Sequence, residues 1–161
     1  MVTMNITLRK VTDDDSDNLL SWRNEDSTIP WMGQTRRLTV EEHNQWFIKA
    51  LYDQNLLFLI IEVDGVAAGQ IRYQRSNAPE ANKAAKVSIN IASQYHGKGV
   101  ATLAFAKGSA LVRSSNFAQS VFANVLPNNF GSIRAMEKAG FKKIKMVVVN
   151  ERKHLLMTDQ E

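Results

Sequence analysis

The chain contains no cysteine, and only three of its 161 residues are histidines. Without a thiol it has no cysteine nucleophile, no disulfide framework and no thiolate zinc site. His43, His96 and His154 lie far apart and form no H-E-x-x-H pattern, so we expect no metal site. The sequence also lacks the G-x-S-x-G elbow of serine hydrolases. These absences disfavour the common hydrolytic and metal-dependent chemistries.

Long apolar runs are missing as well. No stretch approaches the ~20 apolar residues that cross a bilayer, and the first ten residues lack the core of a signal peptide. We therefore expect a cytoplasmic protein with no membrane partner. The formal net charge of +4 is spread along the chain, which suits anionic small ligands and forms no nucleic-acid patch. With 44% hydrophobic residues, the chain is long enough for a buried core, and we expect one domain over 1–161.

The most informative segment is a glycine turn between a strand-like run and a helical run. Residues 94–101 read QYHGKGVA and follow the alternating run from Lys86 to Ala92. A strand that ends in such a turn and opens a helix directs several N–H groups and the positive end of the helix dipole toward one point. Gly97 and Gly99 let the backbone approach an anion without a Cβ in the way. The turn is therefore suited to hold a phosphate or pyrophosphate.

Two well-known phosphate loops do not fit this turn. The sequence has no G-x-x-x-x-G-K-[ST] string, and a dinucleotide fingerprint would need a third glycine where Thr102 stands. The remaining pattern, Q-x-x-G-x-G, resembles the acetyl-CoA pyrophosphate loop of the GNAT family of N-acetyltransferases. An ordinary glycine-rich connection is the alternative when this motif is taken alone.

A second motif follows in the order that the family requires. Residues 124–141 read NVLPNNFGSIRAMEKAGF, in which Asn128 or Asn129 is placed to cap a short helix and Gly140 to end it. The segment resembles the GNAT signature N-x-x-S-I-x-x-x-E-K-x-G-F. A capped helix with a glycine terminator is common, but two motifs at the expected separation support each other. The resemblance covers residues 56–150 well and the first half more loosely.

Local patterns predict the element order βααβββαβαββ, which is also the order of the GNAT fold. Asp64-Gly65 is a strong hairpin signal, and Thr39 to Glu42 resembles a capping box. The fold class we predict is α+β, with a central mixed, mostly antiparallel twisted sheet of about seven strands and four helices. The resemblance implies that the strands after Lys86 and after Gln119 splay apart to admit pantetheine. The predicted strands are 6–11, 56–63, 67–74, 85–92, 119–125, 141–149 and 153–158, with helices through Arg23, from about Thr39, at about 99–115 and at 132–139.

The resemblance implies acetyl-CoA as co-substrate and no metal. It implies that the strand ending at Ala92 pairs its backbone with pantetheine, and that an N–H near Ile91 or Ala92 polarises the thioester. It also implies that the glycine turn binds the pyrophosphate, while Asn129 and Ser132 contact pantetheine or a phosphate. The expected cofactor-binding residues are thus Ile91, Ala92, His96, Gly97, Lys98, Gly99, Val100, Ala101, Asn129 and Ser132.

The catalytic residues are less well defined. Many GNAT enzymes carry a tyrosine four residues after the serine of the short helix to protonate the departing thiolate, but this chain has Met136 there. The general acid is therefore unassigned: Tyr73, Tyr95 or water serves, or none is needed, because a thiol with a pKa near ~8.5 leaves readily. The central strands carry no carboxylate base, so proton removal through water is an alternative. Tyr73 and Asn124 are the catalytic candidates.

The first half of the chain indicates the acceptor. S-W-R-N at 21–24, Trp31-Met32 and E-E-H-x-x-W-F at 41–47 resemble the nucleotide-sugar N-acetyltransferases of pseudaminic acid biosynthesis. That resemblance implies transfer to the 4-amino group of a UDP-linked aminodideoxy sugar, with Arg23, Trp31 and His43 near the acceptor. Trp22, Trp46 and Phe47 also fit a buried helical stripe, and we expect at least two of them in the core.

Two other functions stay open. A RimJ/RimL-like protein N-terminal acetyltransferase shares a similar opening region. A chain without an assigned acid or base also fits an acyl-CoA-binding sensor without turnover. The sequence leaves open the acceptor, the acyl group and the choice between monomer and homodimer.

Overall fold

The computed structural model describes residues 3–76 and 83–160. The predicted order of strands and helices is confirmed, and the bounds agree within one or two residues. The loop predicted at 75–82 falls mostly outside the described residues. The strands are β1 (Ile6–Lys10), β2 (Leu56–Val63), β3 (Val66–Gln74), β4 (Ala84–Ile91), β5 (Ser120–Val125), β6 (Lys142–Val149) and β7 (Arg152–Thr158), and the helices are α1 (Ser16–Arg23), α2 (Val40–Leu51), α3 (Val100–Ser114) and α4 (Phe130–Lys138).

The seven strands form one sheet in the order β1-β2-β3-β4-β5-β7-β6. Neighbouring strands are antiparallel except β4 and β5, which are parallel. Asp64 and Gly65, with φ of 51° and 83°, form the β2–β3 turn that the sequence predicts. The α+β fold with a mixed, mostly antiparallel sheet and four helices is confirmed. In the described part of the chain, no helix is both long and apolar enough to cross a membrane.

The parallel pair β4–β5 creates the main opening in the sheet. Its ladder joins Ala84 with Ser120, Ala85 with Val121, and Lys86 with Phe122. Beyond this point β4 continues to Ile91 and β5 to Val125, without further pairing between them. The predicted separation after Lys86 is confirmed, and on β5 it begins after Phe122. The C-terminal halves of these two described strands therefore face a gap.

Different helices cover the two faces of the sheet. Phe105 of α3 belongs to a core cluster with Ile71 and Tyr73 of β3. On the opposite face, Phe47 of α2 packs in a second cluster with Ile60 of β2. Because side chains alternate along a strand, the even-numbered positions from Gln70 to Gln74 of β3 face α2 and the odd-numbered positions face α3. Before the register shift opposite Ile61 and Glu62 the parity is reversed, and Ala68 belongs to the α3-side cluster. This parity decides which β3 side chains reach the gap.

Caps fix where α2 and α4 begin. Thr39 Oγ1 accepts from the Glu42 N–H at 3.2 Å, and Glu42 accepts from the Thr39 N–H at 3.1 Å, so the predicted capping box opens α2. Asn129 caps α4 by accepting from the Ser132 N–H at 3.3 Å. Gly140, with φ of 100°, follows the end of α4.

Candidate active site

Two adjoining cavities meet where β4 and β5 separate. The α2-side cavity, of about 750 Å³, lies between the two N-terminal helices and strands β3, β4 and β5. The α3-side cavity, of about 510 Å³, extends from the same place to the N-terminus of α3. The two cavities share six lining residues, which places them side by side where β4 and β5 separate. These residues are Trp31, Met32, Ile89, Asn90, Asn129 and Ser132.

The edge of β4 presents backbone donors to this junction. The Ala92 N–H donates to the Ala68 carbonyl at 2.8 Å, which fixes the alternation of the β3–β4 ladder. In an antiparallel pair, residues bonded to the partner strand alternate with residues whose backbone groups point away. The N–H groups of Ile89 and Ile91 therefore face the gap beside β5. Of the two N–H groups predicted to polarise a thioester, Ile91 lies on the open side, whereas the prediction for Ala92 is wrong because its N–H is already bonded.

His96 ties the glycine turn to the end of β4. Its Nε2 lies 2.7 Å from the Ile91 carbonyl oxygen, and because a carbonyl only accepts, Nε2 carries the proton. The imidazole is thus engaged with the protein backbone, and the residue lines the α3-side cavity. We infer that His96 positions the turn.

The N-terminus of α3 forms one end of the α3-side cavity. Gly97 and Gly99 have φ of 73° and 82°, a region that disfavours residues with a Cβ. Helical bonding starts with the Leu103 N–H and the Gly99 carbonyl at 3.3 Å, and within the described residues no side chain caps this end. The N–H groups of residues 100–102 have no intrahelical acceptor. Together with the helix dipole they favour an anion.

Two positive side chains of this cavity come from the short helix of the second motif, but they were not among the predicted cofactor-binding residues. Arg134 and Lys138, one turn apart on α4, line the α3-side cavity. Lys98, which was predicted to bind the cofactor, does not line it. Its Nζ lies 5.8 Å from the centroid of the Tyr95 ring. The i, i+4 spacing of two basic residues on α4 was the signal available in the sequence.

Tyr73 is not part of either cavity, and the prediction that it acts in catalysis is wrong. It occupies an odd position of β3, is fully buried, and directs its hydroxyl at Gly108, where an added Cβ would overlap it. Burial raises the Tyr73 pKa, and the nearby charge of Asp159 raises it further. Tyr95, the other tyrosine considered as an acid, does line the α3-side cavity.

Asn124 and Met136 both line the α2-side cavity. Asn124 is half-buried on β5, opposite the open edge of β4. Met136 is buried on α4, so a thioether stands where many GNAT enzymes carry a tyrosine hydroxyl. The geometry places the carboxamide of Asn124 within the cleft and leaves Met136 with no proton to give.

The three residues predicted near the acceptor, Arg23, Trp31 and His43, all line the α2-side cavity. Arg23 donates to the Gln34 carbonyl at 2.6 Å and to the Arg36 carbonyl at 3.2 Å. Burial and then the charge of Arg36 lower the Arg23 pKa. Arg23 therefore holds the loop between α1 and α2, and two of its donors are already in use.

His43 is a buried member of the same wall. Its Nε2 lies 3.0 Å from Ser16 Oγ, and its ring stacks on Phe47 with centroids 5.5 Å apart. Burial lowers the His43 pKa, so the imidazole is neutral at pH 7. Trp46, expected in the helical stripe, remains 39% exposed and lines the cavity, while Trp22 and Phe47 are buried as predicted.

Glu25 and Glu42, two carboxylates of the first half, are engaged with other groups. Glu25 accepts from the Ser93 N–H at 3.2 Å and from the Ser93 hydroxyl. Glu42 is bound by Arg36 with an Nη2–Oε2 distance of 2.6 Å, and this hydrogen bond lowers the Glu42 pKa to about 2. Within residues 3–76 and 83–160, no three metal-ligating side chains come together. The arrangement therefore provides backbone donors and neutral polar groups at its centre.

Comparisons with known proteins agree with this geometry. Residues 5–142 match the family described as "Acetyltransferase (GNAT) domain". An N-alpha-acetyltransferase of Saccharolobus solfataricus is 26% identical over 151 residues, which cover 88% of this chain and 83% of that protein. The aminoglycoside acetyltransferase AAC(6′)-Ib in complex with coenzyme A superposes with a TM-score of 0.85 at 19% identity, over 96% of this chain and 94% of that one. A ribosomal-protein-alanine N-acetyltransferase from Brucella melitensis gives a TM-score of 0.78 at 18% identity, over 94% and 98%.

Proposed function

Because the chain belongs to the GNAT family of acetyltransferases, we propose that it transfers the acetyl group of acetyl-CoA to a primary amine bound in the α2-side cavity. The observation that carries this proposal is the meeting of two cavities at the separation of β4 and β5. A thioester that lies across this junction has its carbonyl beside the open edge of β4. The amine then approaches from the α2 side.

The α3-side cavity suits the coenzyme. The pyrophosphate of coenzyme A lies against the free N–H groups of residues 100–102, and Arg134 and Lys138 supply positive charge. Pantetheine runs through the gap and pairs with the open backbone of β4. The Ile91 N–H donates to the thioester oxygen, a bond that strengthens as negative charge develops there in the transition state.

We propose direct attack within a ternary complex. A neutral amine adds to the thioester carbonyl carbon, the C–S bond breaks, and the coenzyme A thiolate leaves. The amine nitrogen loses one proton to water, and the thiolate gains one from Tyr95 or water. Asn124, across the gap from Ile91, orients the amine through its carboxamide oxygen.

Two acceptors have specific support. A UDP-linked aminodideoxy sugar, acetylated on its 4-amino group, fits the aromatic faces of Trp31 and Trp46, which are 38% and 39% exposed. A protein N-terminus is favoured by the 26% identity to an N-alpha-acetyltransferase. The first remains our leading candidate because both exposed aromatic rings line the cavity.

Release of free coenzyme A separates these possibilities. The protein is incubated with acetyl-CoA and either a UDP-aminosugar or short peptides with free N-termini, and a reaction without acceptor gives the background. Release with the UDP-aminosugar supports the leading candidate, whereas release with peptides alone replaces it by the second. Thermal stabilisation by acetyl-CoA without release on any amine would identify a binding module. No stabilisation and no release would refute the proposal.

A further inference from the structure

Arg72 of β3 lines the α2-side cavity, and no residue that the structure describes pairs with its guanidinium through a hydrogen bond or an ion pair. Its guanidinium carbon is 4.8 Å from the centroid of the Trp46 ring and 5.7 Å from that of Phe58. Its Nε is buried and makes no hydrogen bond to any described residue. The ion pairs found within residues 3–76 and 83–160 do not include it. Among the described residues, the recorded contacts of this charge are with the faces of two aromatic rings.

Such an arrangement is unfavourable for the protein alone. The half-buried Arg72 side chain has lost part of its hydration without gaining an anion, and cation–π contacts replace only part of that loss. Burial lowers the Arg72 pKa to about 10, so the side chain stays charged at neutral pH. A position used only for packing on this face would be apolar, as Phe58 and Ile60 are on the adjacent strand. The retained charge points to an anion that arrives with a ligand.

The surrounding wall also favours an anion. Arg23 and Lys49 line the same cavity, and the carboxylate of Glu42 is already bound by Arg36. Gln70, two residues before Arg72 on the same face of β3, has a buried Oε1 with no hydrogen-bond partner among the described residues. The Arg72 guanidinium can donate to an anionic group of a ligand, and Gln70 Oε1 can accept from a hydroxyl or an amine beside that group.

The strand register sets the distance from this charge to the reaction centre. Arg72 pairs with Ser88 across the β3–β4 ladder, and Gln70 pairs with Asn90. Ile91 lies three residues beyond Ser88, which corresponds to roughly 10 Å along the strand. An acceptor that reaches from Arg72 to the thioester is therefore compact, with its anionic group within about 10 Å of the amine.

We propose that Arg72 is a specificity-determining residue that binds a carboxylate or phosphate of the acceptor, so that anionic amines are acetylated in preference to neutral amines and polyamines. The inference rests on the proposed transferase function and concerns its substrate class. It assigns anion recognition to Arg72 in place of Arg23, two of whose donors are engaged. A sugar nucleotide offers a phosphate at a suitable distance, and an amino-acid-like acceptor offers a carboxylate.

Matched acceptor pairs test this selectivity. One pair is an α-amino acid and its carboxamide, the other is an aminohexose phosphate and the free aminohexose, and a UDP-aminosugar and spermidine complete the set. For the wild type we expect kcat/KM to be roughly 10- to 100-fold higher for the anionic member, the range typical of hydrogen bonds to charged groups. The pair that shows the larger preference identifies carboxylate or phosphate as the group recognised.

Variants of Arg72 connect the preference to this side chain. Arg72→Met keeps an apolar stem but removes the guanidinium, so we expect the preference to fall to about one through a higher KM for the anionic acceptor. Arg72→Lys keeps the positive charge but not the paired N–H donors, so it should keep part of the preference for the anionic acceptor. Arg37→Met is the matched control, because Arg37 is exposed, pairs with Asp26 at 2.9 Å and does not line the cavity.

Thermal unfolding with and without UDP gives a readout that is independent of turnover. We expect UDP to raise the melting temperature of the wild type and not that of Arg72→Met, which alone should unfold at the same temperature or higher. Equal turnover of both members of each pair, or equal loss of both in Arg72→Met, overturns the inference and leaves the transferase function intact. If no amine is acetylated but UDP stabilises only the wild type, the anion site stands and the transferase proposal fails. Neither turnover nor stabilisation overturns both.

Discussion

Replacing Gly99 with aspartate would place a carboxylate at the N-terminus of α3, where we propose that the pyrophosphate lies. Gly99 has φ of 82°, and a Cβ there meets no atom within 4 Å. The cost to the fold is therefore conformational, about 1–2 kcal/mol for an L-residue in the left-handed region. For a chain of this length, that corresponds to a decrease in melting temperature of roughly 2–8 °C. We expect the variant to fold.

The binding of coenzyme A is weakened by a separate effect, electrostatic repulsion. A carboxylate about 5 Å from a phosphate charge, with an effective dielectric constant between 20 and 80, is repelled by roughly 1–3 kcal/mol. Converted at 1.36 kcal/mol per factor of ten, this weakens binding about 5- to 150-fold. The added side chain also occupies the place of closest approach to the backbone donors. Isothermal titration calorimetry with coenzyme A measures the change directly.

Gly65 provides a control with nearly the same backbone geometry. It has φ of 83°, has no atom within 4 Å of an added Cβ, and lies in the β2–β3 turn outside both cavities. Gly65→Asp therefore carries a similar strain and the same change in net charge. It should lower the melting temperature similarly and leave the dissociation constant of coenzyme A unchanged. A folded Gly99→Asp protein that binds coenzyme A like the wild type, or equal weakening in both variants, would refute the reasoning.

Four further outcomes follow from the packing and the charges. Tyr73→Phe should raise the free energy of unfolding by about 1 kcal/mol with unchanged kcat, because it removes a buried hydroxyl without a partner; a large loss of kcat would return Tyr73 to the site. Gly108→Ala should lower the free energy of unfolding in urea by about 1–3 kcal/mol, because the added Cβ overlaps the Tyr73 hydroxyl. The double variant with Tyr73→Phe should recover part of this loss. Met136→Leu conserves volume, so we expect less than about 1.5 kcal/mol of destabilisation and a kcat within a few fold of the wild type; a hundredfold decrease would show a role for the thioether. Burial lowers the His43 pKa below the unfolded value of about 6.5, so the contribution of His43 to stability is present above pH 6.5 and is lost as the pH falls through the folded pKa. The free energy of unfolding of His43→Gln should therefore change less than that of the wild type between about pH 7.5 and pH 5.

The fold was predictable because its signals are local. The Asp64-Gly65 turn, the capping box at Thr39 and the cap at Asn129 each depend on residues a few positions apart, and all three appear in the structure. The order of elements followed from such local patterns, and it is also the order of the family that the two glycine-containing motifs resemble. The resemblance also implied that β4 and β5 splay apart, and their ladder does end at Lys86 and Phe122.

The errors in the site arose from long-range geometry. Tyr73 was named as a catalytic candidate because the sequence at a strand residue does not show which face of the sheet its side chain occupies. The Ala92 N–H was misassigned because the phase of the β3–β4 ladder depends on its bond to Ala68. Arg72 escaped notice because its importance lies in the absence of a nearby anion among the described residues, which only the packed structure reveals.

The three-pair ladder between β4 and β5 has a consequence for the lifetime of the protein. It divides the sheet into two groups of strands, β1–β4 and β5–β7–β6, which are joined by three residue pairs. In the proposed complex, pantetheine contacts both groups of strands and so holds them together. This contact forms when acetyl-CoA binds and is lost when coenzyme A leaves, once in every reaction cycle. Ligand binding to the folded state alone adds RT ln(1 + [L]/Kd) to stability, about 2.7 kcal/mol when the ligand is at a hundred times its Kd. We therefore expect resistance to proteolysis to rise and fall with the supply of acetyl-CoA, which would make the abundance of this protein a readout of acetyl supply.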